Sequence, residues 1–196
     1  MPIRVIAGTA KGRKLKMVPG EATRPITDRV KESLFNILGV GIRGCSFLDL
    51  FAGTGSVGIE ALSRGAARVV FFDTDRLAIR TIHENLAHTR LAGRAEVLRT
   101  DALSYLQRQP SEAFEYIFVA PPQYKGLWKE TLLILDENLE HVHLDGIVVV
   151  QIDPVERQDV ELESLTLYDE RVYGNTLLWF FERTDPEDDA EDTPAP

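Results

Sequence analysis

Phe47-Leu48-Asp49-Leu50-Phe51-Ala52-Gly53-Thr54-Gly55-Ser56-Val57-Gly58-Ile59-Glu60-Ala61-Leu62 passes from an apolar run holding one acid, through three glycines, into helical periodicity. A buried strand that turns sharply into a helix reads this way. The glycines admit φ angles that a Cβ disfavours and let a ligand approach the backbone closely. The helix that follows aims free N–H groups and the positive end of its dipole back at the turn. An electron-rich ligand group belongs there.

Downstream the pattern repeats. Arg68–Asp73 reads as a second buried strand ending in an acid, with Leu77, Ile79, Ile82 and Leu86 marking a helix behind it. Ala95–Arg99 is a third strand, followed by Asp101-Ala102 and a short helix over Leu103–Gln107. Tyr116–Val119 is a fourth strand running into Ala120-Pro121-Pro122-Gln123-Tyr124, and Leu127, Leu132, Leu133 and Leu135 argue a helix before a fifth strand over Gly146–Ile152. Buried strands alternating with helices across short connections predict a parallel α/β sheet covered on both faces. The last pair differs: only Gly174-Asn175 separates Leu165–Tyr173 from Thr176–Phe181, and a two-residue Gly/Asn loop makes an antiparallel hairpin.

Upstream, Arg4–Gly8 and Lys11–Met17 predict a small hairpin, with Leu15 and Met17 alternating against Lys14 and Lys16. Thr27 is a candidate N-cap for an amphipathic helix carrying Val30, Leu34, Ile37 and Leu38 on one face and ending at Gly39 and Gly41. The boundaries are therefore 1–22 for a basic β-hairpin extension, 23–184 for the α/β domain and 185–196 for an acidic, disordered tail.

The 196 residues are 44% hydrophobic and 27% charged, enough for one domain with a sizeable core. A lone cysteine, Cys45, excludes an internal disulfide framework and disfavours a cysteine metal site. With no long apolar stretch, the expectation is a soluble cytoplasmic protein that uses no metal and meets no membrane. The net charge of −9 is uneven: residues 1–31 hold eight Lys/Arg against Glu21 and Asp28, whereas 185–196 hold six acids and no base. Either the N-terminal end meets a polyanion, through Lys11, Arg13, Lys14, Lys16, Arg24 and Arg29, or it is simply a solvated charged face.

Gly53-Thr54-Gly55-Ser56-Val57-Gly58 satisfies G-x-G-x-x-G, so a dinucleotide has to be weighed. Asp49 argues against it, because a carboxylate beside the turn repels a pyrophosphate and suits an amino-acid ammonium. Asp73, at the end of the next strand, can accept from ribose hydroxyls in either case. With the antiparallel final hairpin, the pattern favours S-adenosylmethionine. Asp49 could otherwise be a buried acid satisfying local N–H groups.

Thr23-Arg24-Pro25, Asp28–Glu32, Leu48–Gly55 and Gly58–Gly65, together with Ile6-Ala7-Gly8 and Lys11-Gly12-Arg13, resemble the RsmD-type bacterial 16S rRNA guanine-N2 methyltransferases over nearly the whole chain. The resemblance implies a class I S-adenosylmethionine-dependent methyltransferase fold, Rossmann-like, with seven strands in the order 3-2-1-4-5-7-6. It implies the exocyclic N2 amine of one guanine as acceptor, within a small-subunit assembly intermediate. By position, Asp49, Phe51, Gly53 and Gly55 would hold the methionine part of the donor and Asp73 its ribose. Asp101 with Ala102 would meet the adenine, although a helix N-cap explains Asp101 equally well.

The acceptor site is implied at Ala120, Pro121, Pro122, Gln123 and Tyr124. There the family pattern carries Asp or Asn, two prolines and an aromatic. This chain has alanine at the first position and glutamine at the fourth, with the aromatic one residue later. Main-chain carbonyls plus Gln123 and Tyr124 could serve. The alternatives are a small-molecule methyltransferase, or an RNA-binding assembly factor with weak catalysis.

Overall fold

The computed structural model describes residues 3–20 and 26–184. Arg24, its neighbours Thr23 and Pro25, and the expected tail at 185–196 lie outside the described residues.

Among the described residues five α-helices and seven strands follow one another as α1 (Asp28–Leu38), β1 (Ser46–Asp49), α2 (Ser56–Arg64), β2 (Arg68–Asp73), α3 (Arg76–Thr89), β3 (Ala95–Arg99), α4 (Ala102–Leu106), β4 (Phe114–Val119), α5 (Leu127–Glu137), β5 (Val142–Ile152), β6 (Leu165–Tyr173) and β7 (Thr176–Arg183). The strands form one seven-stranded sheet in the order β3-β2-β1-β4-β5-β7-β6. Pairing is parallel from β3 to β5 and antiparallel at β5–β7 and β6–β7. This is the class I methyltransferase order expected from the resemblance, and Tyr173 and Thr176 close the final hairpin around Gly174-Asn175.

Alternation along the strands divides the core between the two faces. Phe47, Phe71, Phe118, Val149 and Phe180 pack with α1, α2 and α3 on one side. Leu48, Phe72, Ile117, Val150 and Trp179 pack with α4 and α5 on the other. Thr27 caps α1, accepting from the Val30 N–H at 3.3 Å, and Gly39 terminates it with φ of 59°.

Two strand ends differ from the sequence reading. β5 begins at Val142, because Phe114 pairs with Val142 and the next register step jumps to Tyr116 with Ile147. The bulge places polar and glycine residues where an unbroken strand reads poorly. At the N-terminus the expected hairpin has one antiparallel bridge, Arg4 with Lys14. Its arms exchange backbone hydrogen bonds, Val5 N–H to the Arg13 carbonyl at 2.9 Å and Leu15 N–H to the Ile3 carbonyl at 2.8 Å, and the body holds it as well: Glu60 accepts the N–H groups of Ile6 and Ala7 at 2.7 and 2.9 Å, and Lys31 Nζ donates to the Arg4 carbonyl at 2.7 Å. Ile3, Val5, Ala10 and Leu15 are buried in the core. A Cβ on Gly8 would lie 1.8 Å from the Ser63 carbonyl oxygen, so the segment is pressed onto α2 rather than projecting from it.

Candidate active site

β1, β2, β3 and β4 all point their C-terminal ends at one cleft of about 430 Å³. Ligands of open α/β sheets bind at that edge, where strand order reverses between neighbours.

The quoted turn forms the floor. After Asp49 the chain reverses through Gly53 (φ 52°) and Gly55 (φ 75°), and Gly55 stands at the N-cap of α2. Gly58 lets α2 lie against β2: a Cβ there would come within 2.3 Å of Phe71 Cε1. Asp49 is 2% exposed, and its Oδ2 accepts the Gly58 N–H at 3.2 Å. Burial, opposed by that hydrogen bond and reinforced by nearby Asp73, pushes its carboxyl up to about 7.

Asp73 ties the two halves of the site together. Its Oδ2 accepts from the Gly53 N–H at 2.9 Å and its Oδ1 from the Asp75 N–H at 2.9 Å. Each oxygen retains a lone pair for a ligand hydroxyl. Asp101 caps α4, accepting the Ser104 N–H at 2.8 Å through Oδ1, and also lines the cleft.

Of the expected donor residues, Asp49, Phe51, Gly53, Asp73, Asp101 and Ala102 line the cleft; Gly55 does not, because it lies beneath the turn against Ile82. Of the expected acceptor residues, Ala120 and Pro122 line it, whereas Pro121, Gln123 and Tyr124 do not. Tyr124 adopts φ of 62°, donates its N–H to Glu156 Oε1 at 2.8 Å and its hydroxyl to Asp153 Oδ2 at 3.0 Å. The residue is 67% exposed.

Sequence reasoning missed three residues. Gln151, at the end of β5, and Lys125 line the cleft. Asn85 of α3 donates to the Thr54 carbonyl at 2.9 Å and exchanges hydrogen bonds with the Lys16 backbone, joining the glycine turn to the N-terminal segment. A polar residue closing the run Val148-Val149-Val150-Gln151 was the available signal for the first. No local pattern marks Asn85.

Of the basic residues, Lys11, Lys14, Lys16 and Arg29 are exposed. Arg13 donates to the His88 carbonyl, and Lys16 Nζ pairs with Glu84 at 2.8 Å. Among the described residues no group of three or more His, Cys, Asp or Glu is placed to hold a metal, and no helix is long and apolar enough to cross a membrane.

The charge of the cleft decides what it can hold. Asp49, Asp73, Asp75 and Asp101 line it against Lys125 as the one lysine or arginine among the described residues. Such walls repel a pyrophosphate and attract a cation. An underpaired buried carboxylate at the glycine turn suits a cationic group.

The family described as conserved hypothetical protein 95 matches residues 3–182. Ribosomal RNA small subunit methyltransferase D of Escherichia coli (strain K12) is 43% identical over 136 residues, covering 69% of this chain and 68% of its own. The solved structure of the Escherichia coli protein yhhF superimposes with a TM-score of 0.83 at 34% identity, over 93% of this chain and 98% of that one. An RNA methyltransferase from Salinibacter ruber, solved in complex with S-adenosyl-L-homocysteine, shares the fold with a TM-score of 0.63 at 15% identity, over 88% and 98% of the two chains.

Proposed function

This chain belongs to the RsmD-type methyltransferase family, and on that premise we propose that it transfers a methyl group from S-adenosylmethionine to the exocyclic N2 amine of a guanine in 16S rRNA. The observation that carries the reading is the buried Asp49 carboxylate, with one backbone partner, at the head of a cleft walled by further acids. The related chain named as a small-subunit rRNA methyltransferase supports the acceptor class, and the fold neighbour holding S-adenosyl-L-homocysteine supports the donor. The natural substrate is an assembling small subunit in the cytoplasm.

The donor supplies an electrophilic methyl on a sulfonium. Asp49 pairs with its ammonium, the free lone pairs of Asp73 accept from its ribose, and the second oxygen of Asp101 accepts from its adenine amine. The acceptor base enters beside Ala120 and Pro122, where the rigid Pro121-Pro122 backbone presents carbonyl oxygens. A guanine amine is a poor nucleophile because its lone pair is delocalised into the ring. An acceptor for its hydrogens localises that pair, and positioning supplies much of the remaining acceleration.

The test is transfer of tritiated methyl to rRNA from cells lacking the protein, alongside a panel of small amines, with nucleoside digestion to identify the product. N2-methylguanosine in 16S rRNA is expected. Label confined to small molecules would replace the reading with a small-molecule methyltransferase. Donor binding without any transfer would replace it with an assembly factor.

A further inference from the structure

We propose that Gln151 is the side-chain reader of the acceptor base, supplying from β5 the acceptor that Ala120 lacks on β4. This rests on the methyl-transfer reading above.

The register places the two residues together. Val119 pairs with Val150 in the parallel β4–β5 ladder, so Ala120 and Gln151 are the next residues along neighbouring strands, about 4.8 Å apart at the strand spacing. They also share a face with the donor site. Asp49 is in register with Phe118, and Phe118 with Val149. Two residues further along, Ala120 and Gln151 therefore project to the same side of the sheet as Asp49. All three line the one cleft.

Gln151 is also unspent. Its Oε1 is buried without a hydrogen-bond partner. A buried carbonyl oxygen with no donor is costly, and such an atom in a ligand cleft is accounted for when the ligand brings the donor. Rotation about the terminal torsion lets the amide turn its carbonyl or its NH2 toward the base. The methyl of Ala120 leaves the neighbouring strand position clear for the longer side chain. Gln123, the glutamine expected here, lies outside the cleft lining.

An amide suits this acceptor class. Its carbonyl accepts an N–H of a neutral exocyclic amine, and its NH2 can donate to the adjacent ring nitrogen of the same base. The amine nitrogen forms the new bond to the methyl carbon as the carbon–sulfur bond breaks and its electrons pass to sulfur. The nitrogen, now positive, loses a proton to water, since an amide is no base at neutral pH. Gln151 orients the lone pair and takes no proton.

The experiment compares Gln151→Met, of similar length and without the amide, with the wild type in single-turnover methylation of small-subunit rRNA particles, with donor affinity measured by calorimetry. We expect the transfer rate to fall about ten- to a hundredfold with donor affinity within about twofold. Adding Ala120→Asn to Gln151→Met returns an amide to the adjoining strand and restores part of the rate. An undiminished rate in Gln151→Met overturns the proposal, as does a parallel loss of donor affinity, which would make the residue structural. A loss that Ala120→Asn leaves unrepaired overturns the shared acceptor site. Absence of rRNA methylation by the wild type itself would instead overturn the functional reading on which the proposal stands.

Discussion

The N–H of Gly58 donates to Oδ2 of Asp49 at 3.2 Å, and this is the hydrogen bond given to that buried carboxylate among the described residues. A strand acid is thus held by the first turns of the helix that follows it. Burial outweighs that single bond and, with Asp73 nearby, pushes the carboxyl up to about 7.

Donor affinity should therefore depend on pH in a definite direction. The free folded protein keeps a proton on Asp49 that the unfolded chain loses near pH ~4, so ionising this group costs stability as pH rises from about 4 to about 7. Pairing with the donor ammonium requires the ionised form. Calorimetric affinity for S-adenosylmethionine should weaken about tenfold per pH unit below about pH 7, and weaken again above about pH 8, where the donor's α-ammonium loses its proton. Asp49→Asn should bind weakly with that slope removed, and Asp49→Ala should abolish binding. Full affinity in Asp49→Ala would sink the ammonium assignment.

Gly58 should not tolerate a methyl group. The added Cβ would meet Phe71 Cε1 at 2.3 Å, Phe71 Cζ at 2.7 Å and Val69 Cγ1 at 2.8 Å, with both side chains buried. Gly58→Ala should cost about 1–3 kcal/mol in denaturant unfolding. Combining it with Phe71→Leu should recover part of that loss. Additive effects in the double variant would place the strain elsewhere.

The buried charges at the N-terminal seam should be essential to it. Lys31 and Glu60 are both fully buried with Nζ and Oε2 3.7 Å apart, and Arg64 Nε donates to Glu60 Oε1 at 2.8 Å. Burial lowers the Lys31 pKa despite the neighbouring acids. Glu60→Ala leaves buried Lys31 without its counter-ion and orphans the Ile6 and Ala7 amides, at a cost of about 3–5 kcal/mol. Hydrogen exchange should show those two amides losing protection first. Unchanged protection would mean that apolar packing alone holds the segment.

Lys11 and Lys14 should carry more of the RNA affinity than Arg13 and Lys16. The first two are exposed without an ion pair among the described residues, whereas the second two are committed to His88 and Glu84. The Lys11→Gln, Lys14→Gln double variant should weaken binding of rRNA fragments and reduce the log–log salt slope by about two. Lys16→Gln should change the slope less. An unaltered slope in the double variant would remove this face from the RNA contact.

What the sequence by itself determined is what backbone and periodicity decide locally. The glycine turn, the acids at the ends of β1 and β2, the alternation of strands and helices and the two-residue final hairpin all follow from φ requirements and burial patterns within a few residues. The tertiary structure decided what depends on distant partners. It committed Arg13 and Lys16 to the body, because Glu84 and the His88 carbonyl lie on α3. It tethered Tyr124, because Asp153 and Glu156 follow β5 and accept from both its hydroxyl and its backbone N–H. It set Gln151 beside Ala120, since strand register, not chain proximity, makes them neighbours. The acids at the ends of β1 and β2 are each legible in their own stretch of sequence. The juxtaposition of Ala120 with Gln151 exists only once β4 and β5 are paired.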